Sequence, residues 1–184
     1  MMRSFIKLIN FLTLPILSLC LLSCIYVEDI GYYWDKGIID QAIAGSWKSS
    51  DSDDCSSFIV SGDSYQVIEK GKKENSLYRT LLLGDNKFLM VKDAKGKYLL
   101  IKYQISDNNF TTYTPDEAKK EGFLRDYPDS NIIISDEKFS TATIKHLDEK
   151  TAELLQKIAG DETYWKVAST QHRAENCKES DAKH

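Results

Sequence analysis

The stretch that decides the fold is residues 77–114, LYRTLLLGDNKFLMVKDAKGKYLLIKYQISDNNFTTYT. Four β-rich runs, Leu77 to Leu83, Phe88 to Val91, Tyr98 to Ile105 and Phe110 to Thr114, are separated by Gly84-Asp85-Asn86, Asp93-Ala94-Lys95-Gly96 and Ser106-Asp107-Asn108-Asn109. Gly, Asn and Asp accept the backbone conformations of tight turns at little cost, so each break predicts a turn and the whole predicts successive antiparallel hairpins. In the third run Leu99, Ile101, Tyr103 and Ile105 point one way while Lys102 and Gln104 point the other, which gives an inner and an outer face.

Outward from this block the same pattern continues. Upstream, Phe58-Ile59-Val60 and Tyr65 to Ile68 flank the turn residues Gly62-Asp63. Downstream, Thr114-Pro115-Asp116-Glu117 predicts a helix start, with Thr114 as cap, Pro115 in the first helical position and Gly122 as the stop. Ile132 to Ile134 and Thr141 to Leu147 are further strand candidates. Asp148 caps a second helix whose apolar positions Leu154, Leu155 and Ile158 share one face and which ends at Gly160. Tyr164-Trp165-Lys166-Val167 reads as a closing strand or a docking segment. The expected fold is mainly β, an antiparallel meander or small barrel of roughly seven to nine strands with two short helices, because a meander must hide its edges by closing or by being covered.

The 184 residues, 42% hydrophobic and 28% charged with only 3 Pro, are the composition of one folded domain. The first 23 residues stand apart. A short basic segment with Arg3 and Lys7 precedes the uncharged apolar stretch Leu8 to Leu22, the arrangement of an export signal. Leu21-Leu22-Ser23-Cys24 then resembles the lipobox of bacterial lipoproteins. The resemblance implies cleavage between Ser23 and Cys24, diacylglycerol on the Cys24 sulfur and a further acyl chain such as palmitate on the new amino group. Two or three chains, at about 0.8 kcal/mol per buried methylene, hold a protein on a membrane in effect permanently. An uncleaved membrane helix from Leu8 to Val27 fits less well, given Asn10, Pro15 and the acidic pair Glu28-Asp29. The expected place is therefore the bacterial cell envelope. Ile25 after the cysteine, rather than aspartate, points to the outer membrane facing the periplasm in a cell with two membranes. The chain divides into a signal peptide (1–23), an acylated N-terminus and tether (24–44), a β-rich globular domain (45–170) and a polar C-terminal tail (171–184).

Losing the leader removes two positive charges and takes the net charge from −4 to −6. Such an acidic balance argues against nucleic acid as a partner, since that needs clustered Lys and Arg. Cys20 leaves with the leader and Cys24 is acylated, so Cys55 and Cys177 remain as a candidate disulfide in an oxidising compartment. Whether their alpha carbons come within range is left open by the sequence. Tyr32-Tyr33-Trp34 either lies at headgroup depth or, as favoured, packs on its own domain.

Gly45-Ser46-Trp47 resembles the Gly-x-Trp signature that opens lipocalin-like barrels. There the tryptophan plugs the closed end and the glycine lets the chain approach it closely. Neither a Thr-Asp-Tyr segment nor a terminal-strand arginine to stack on Trp47 is recognised.

Catalytic and metal motifs are sparse. Gly62-Asp63-Ser64-Tyr65 is similar to the nucleophile block of GDS-type esterases, but a hairpin turn explains it better. His146, His172 and His184 lie far apart, and Asp51, Asp53 and Asp54 lack the glycine and distal glutamate of an EF-hand loop. No enzyme activity, cofactor or metal is expected. Two readings remain: a lipid-anchored protein-interaction or scaffold module with an envelope protein partner, or a lipocalin-like carrier. In the second, Phe58, Tyr65, Phe88, Tyr103 and Phe110 line a cavity for a hydrophobic or amphipathic ligand.

Overall fold

A computed structural model of the chain describes residues 25–52, 54–69, 71–127, 132–134, 142–175 and 177. Ser23, Cys24, Asp53 and His184 lie outside the described residues. The described chain opens with β1 (Ile25–Asp29) and continues through β2 (Gly45–Ser49), β3 (Cys55–Ser61), β4 (Ser64–Glu69), the two-residue β5 (Lys72–Lys73), β6 (Leu77–Leu83), β7 (Asn86–Lys92), β8 (Tyr98–Ser106) and β9 (Asn109–Pro115). From β2 to β9 the strands pair antiparallel in chain order, with β5 hanging off β4. The turn residues supply the reversals: Gly84 (φ +57°) and Asp107 (φ 51°) sit in the left-handed region that these tight hairpins need.

The ring is closed by β12 (Trp165–Ala174), which pairs antiparallel with β9 on one side and β2 on the other. Eight strands, β2, β3, β4, β6, β7, β8, β9 and β12, thus form a closed antiparallel barrel with no free edge. A register shift between Val167 and Ser169 marks a bulge in β12. The closing strand runs through Ala174, four residues into the stretch expected as a polar tail. Gln171, His172, Arg173 and Ala174 are paired with Ser49, Lys48, Trp47 and Ser46. Gln171 and Arg173 stand opposite the inward-facing Phe110 and Trp47, so this strand carries polar residues on the very face a hydrophobicity reading expects to be apolar.

Residues 25–44 are likewise built into the fold instead of forming a tether. Ile25 and Val27 are buried, and β1 pairs antiparallel with the first half of β8 and parallel with β11 (Ala142–His146), which in turn pairs with β10 (Ile132–Ile134). These three strands make a wing on the barrel wall. β8 serves both, holding β1 through Tyr98–Leu100 and β9 through Lys102–Ser106.

The first helix differs from expectation in its start. Thr114 and Pro115 belong to β9, and a 3-10 turn (Glu117–Lys119) leads into α1 (Lys120–Asp126). Thr114 is buried, and Pro115 ends the strand opposite Trp165. Asp116 takes the capping role, its side chain accepting from the Ala118 N–H at 3.2 Å. Gly122 lies inside α1 and does not end it. The second helix, α2 (Glu149–Gly160), starts as the sequence indicates, with Asp148 accepting from the Thr151 N–H at 2.7 Å.

Two apolar cores result. One fills the barrel, with Ile43, Trp47, Phe58, Tyr65, Val67, Leu89, Ile101, Tyr103 and Phe110 among its buried side chains. The other lies outside the wall, where α2 and the wing cover the outward residues Leu81, Phe88, Met90 and Leu100. Tyr33 is buried in this outer core, and Trp34 packs against it beside Tyr98, while Tyr32 is exposed. Among the described residues no helix is long and apolar enough to cross a membrane.

Candidate functional site

One end of the barrel is shut by residues 38–44. Ile38 and Thr80 exchange backbone hydrogen bonds of 2.8 and 2.9 Å, so this segment is stitched onto β6 where β4 departs from it. Ile43 and Trp47 are fully buried, and the Trp47 indole donates to the Ile43 carbonyl at 2.7 Å. Over the Trp47 ring, with its guanidinium carbon 4.3 Å from the centroid, lies Arg173, and its two terminal nitrogens donate to the carbonyls of Ala44 (3.1 Å) and Ala42 (2.8 Å). The terminal-strand arginine not recognised in the sequence is therefore present, within the stretch expected as a polar tail. Gly45, at φ +124° and with Arg173 Nη1 2.8 Å from where a Cβ would stand, lets the chain turn into β2 beneath it.

Asp40 seals the same end from inside. Its carboxylate accepts from Lys87 Nζ at 2.7 Å, the Tyr103 hydroxyl at 3.0 Å and the Ala42 N–H at 3.1 Å. Burial pushes this carboxyl up, but the hydrogen bonds from Lys87, Ala42 and Tyr103 outweigh burial and hold it below its ordinary value. The Tyr65 hydroxyl donates to the Asp40 backbone carbonyl at 2.8 Å, and Thr80 meets the Tyr103 hydroxyl at 3.0 Å. Burial raises both phenols, which keeps them neutral.

Four of the five residues expected to line an interior, Phe58, Tyr65, Tyr103 and Phe110, do face inward. They fill the space themselves: the Phe110 ring stands 5.5 Å from Trp47, 6.0 Å from Phe58 and 5.5 Å from Tyr103. Phe88 does not line the interior. It points outward to meet Trp165 edge-on at 6.3 Å under α2. The run Phe88-Leu89-Met90-Val91 is apolar on both faces, so alternation gives no clue to which half turns in.

A cleft of about 390 Å³ lies on the outer wall instead, between the end of α2 and strands β7, β8, β9 and β12. Lys102 forms its floor. This side chain is only 9% exposed; its ammonium donates to the Ala159 carbonyl at 2.7 Å and sits 4.9 Å from the Trp165 ring and 5.2 Å from the Tyr113 ring. The partner is an unpaired carbonyl of the last helical turn, where a cation also meets the negative end of the helix dipole. Burial pulls the Lys102 amine below its ordinary value, with Glu162 opposing in part. Val167 lines the cleft and is 59% exposed, the highest value for a large hydrophobic side chain among the described residues. The sequence places Lys102 on the outer face and Trp165 in a closing or docking segment but does not join them, since an outward lysine on a strand ordinarily reaches water.

The remaining chemical candidates are dispersed. Gly62 and Asp63 form the β3–β4 turn, with Asp63 paired to Arg79, and the Ser64 hydroxyl donates to the Ser61 carbonyl at 3.3 Å. His146 Nδ1 meets Asp29 at 2.8 Å. His172 lies between Ser50 Oγ at 2.9 Å and Asn109 Oδ1 at 2.6 Å, a nucleophile, base and orienting group in sequence-distant contact. Ser50 Oγ also donates to the Thr170 carbonyl at 2.8 Å, which competes for its one proton, and Ser50 and His172 are exposed on the strand surface. Asp54 accepts from Ser52 at 3.0 Å, while the Asp51 N–H donates to Ser49 at 3.2 Å. Among the described residues no group of three His, Cys, Asp or Glu side chains is placed to hold a metal ion. Cys55 and Cys177 are joined by a disulfide, with alpha carbons 5.5 Å apart across 122 residues of chain.

Comparison of the chain with models of known families, with curated proteins and with solved structures returns no match.

Proposed function

We propose that this chain is a lipid-anchored domain of the bacterial envelope that acts by contact through its outer surface, as a protein-interaction or scaffold module. The single observation that carries the surface role is the filled interior: Trp47, Tyr65, Tyr103 and Phe110 occupy the barrel, and Asp40 and residues 38–44 cover one end. Binding in such a molecule falls to the walls and loops, because an occupant of the interior has to displace packed aromatic rings. The anchor rests on Leu21-Leu22-Ser23-Cys24 at the end of the apolar leader.

The test has two arms. Cells grown with labelled fatty acid incorporate it into the wild-type protein and not into Cys24→Ala. Crosslinking in intact cells then recovers the acylated protein with a defined envelope protein in fixed proportion. A stoichiometric small apolar molecule released from the purified barrel would instead favour the lipocalin-like carrier, a reading supported by Gly45, Trp47 and Arg173 meeting at the closed end. Ester hydrolysis abolished by Ser50→Ala or Ser64→Ala would replace both binding readings with an enzymatic one.

A further inference from the structure

We infer that the barrel wall carrying the Lys102 cleft rests on the bilayer surface, with Tyr113, Trp165 and Val167 at headgroup depth. The inference rests on the proposal that Cys24 carries the lipid, and it adds which face of the domain meets the membrane.

The first described residue after Cys24 is already part of the sheet. Ile25 is 3% exposed and paired on both sides, to Leu100 of β8 and Ala142 of β11. The alpha carbon of Cys24 is about 3.8 Å from that of Ile25 by covalent geometry alone. A lipid on Cys24 therefore tethers this part of the wall to the headgroups with no further residue of chain between Cys24 and the sheet. β1 runs antiparallel to β8, so its N-terminal end points along β8 from Leu100 toward Lys102. Two residues along a strand and one strand spacing put Ile25 and Lys102 about 8 Å apart.

The surface found there suits an interface between water and lipid. Val167 offers exposed apolar area, and Tyr113 and Trp165 are half-buried aromatic side chains, the type enriched where hydrocarbon gives way to headgroups. Of the lining charges, Lys87 is tied to Asp40 at the closed end, which leaves Lys102 against Asp85 and Glu162 on the cleft itself. The cleft is centred on β8 and β9, and β3 and β4 stand on the other side of the ring, where Ile59 is exposed on the outer face.

The test uses the acylated full-length product in vesicles of phosphatidylethanolamine and phosphatidylglycerol. Cys55 and Cys177 are bonded to each other and Cys24 is blocked by lipid, so Val167→Cys and Ile59→Cys each provide one free thiol for an environment-sensitive dye. The expected result is a blue-shifted dye at position 167 whose quenching by iodide is severalfold weaker than at position 59. Equal accessibility at the two positions, both open or both shielded, overturns the inference while leaving the anchor intact. Absence of acyl mass on Cys24 removes the anchor and the inference together.

Discussion

Replacing Arg173 by alanine tests the closed end of the barrel directly. The substitution removes two hydrogen bonds from a charged donor, to Ala42 and Ala44, and the guanidinium packed on Trp47. Hydrogen bonds to charged groups contribute about 1.5–3 kcal/mol each when buried, and a cation over an aromatic ring contributes about 0.5–1 kcal/mol at an exposed site. Arg173 is exposed along part of its length, so each hydrogen bond is discounted to about 1 kcal/mol and the total is about 2–3 kcal/mol. With a urea dependence of about 2 kcal/mol per molar, the unfolding midpoint should fall by about 1–1.5 M. Arg173→Lys retains the charge over the ring but not the fork that reaches two carbonyls, so it should recover about half of the loss. The assay is urea denaturation of the oxidised protein followed by tryptophan fluorescence. A midpoint for Arg173→Ala within about 0.2 M of wild type would refute the assignment of Arg173 as the clamp on residues 42–47.

Further expectations follow from the same geometry. Gly45→Ala forces φ +124° on a residue with a Cβ and puts that Cβ 2.8 Å from Arg173 Nη1, and should destabilise by about 1–3 kcal/mol; in a double-mutant cycle with Arg173→Ala the part due to the Arg173 contact should not add, while the backbone strain should remain. Reducing the Cys55–Cys177 bond releases a 122-residue loop, for which chain entropy allows as much as about 4–5 kcal/mol, read as a drop in melting temperature between oxidised and reduced protein. The Asp40 carboxyl is held below its ordinary value, so its contribution is fully present above the unfolded value of about 3.9 and is lost as pH falls through the lower folded value. Melting temperature measured from pH 6 downward should therefore decline less steeply below about pH 4 in Asp40→Asn than in wild type.

Local chemistry accounts for what the sequence by itself determined. The turn residues at 84–86, 93–96 and 106–109 set the hairpins from β6 to β9, because a reversal is dictated by the few residues that make it. Asp148 fixed the start of α2 in the same way. Gly45 and Trp47 marked the entry to the barrel. The tertiary structure alone decided that the closing strand β12 runs on through residues 171–174 and brings Arg173 to Trp47, a contact across more than a hundred residues of chain that no local signal announces. It also decided that Phe88 turns outward, since only α2 packed on the wall makes that side of an all-apolar run a core. The same holds for Ile25, for Lys102 at the end of α2 and for the Ser50, His172 and Asn109 contact. Each depends on two or three strands meeting from distant parts of the chain, and register between such strands is set by the closure of the whole sheet.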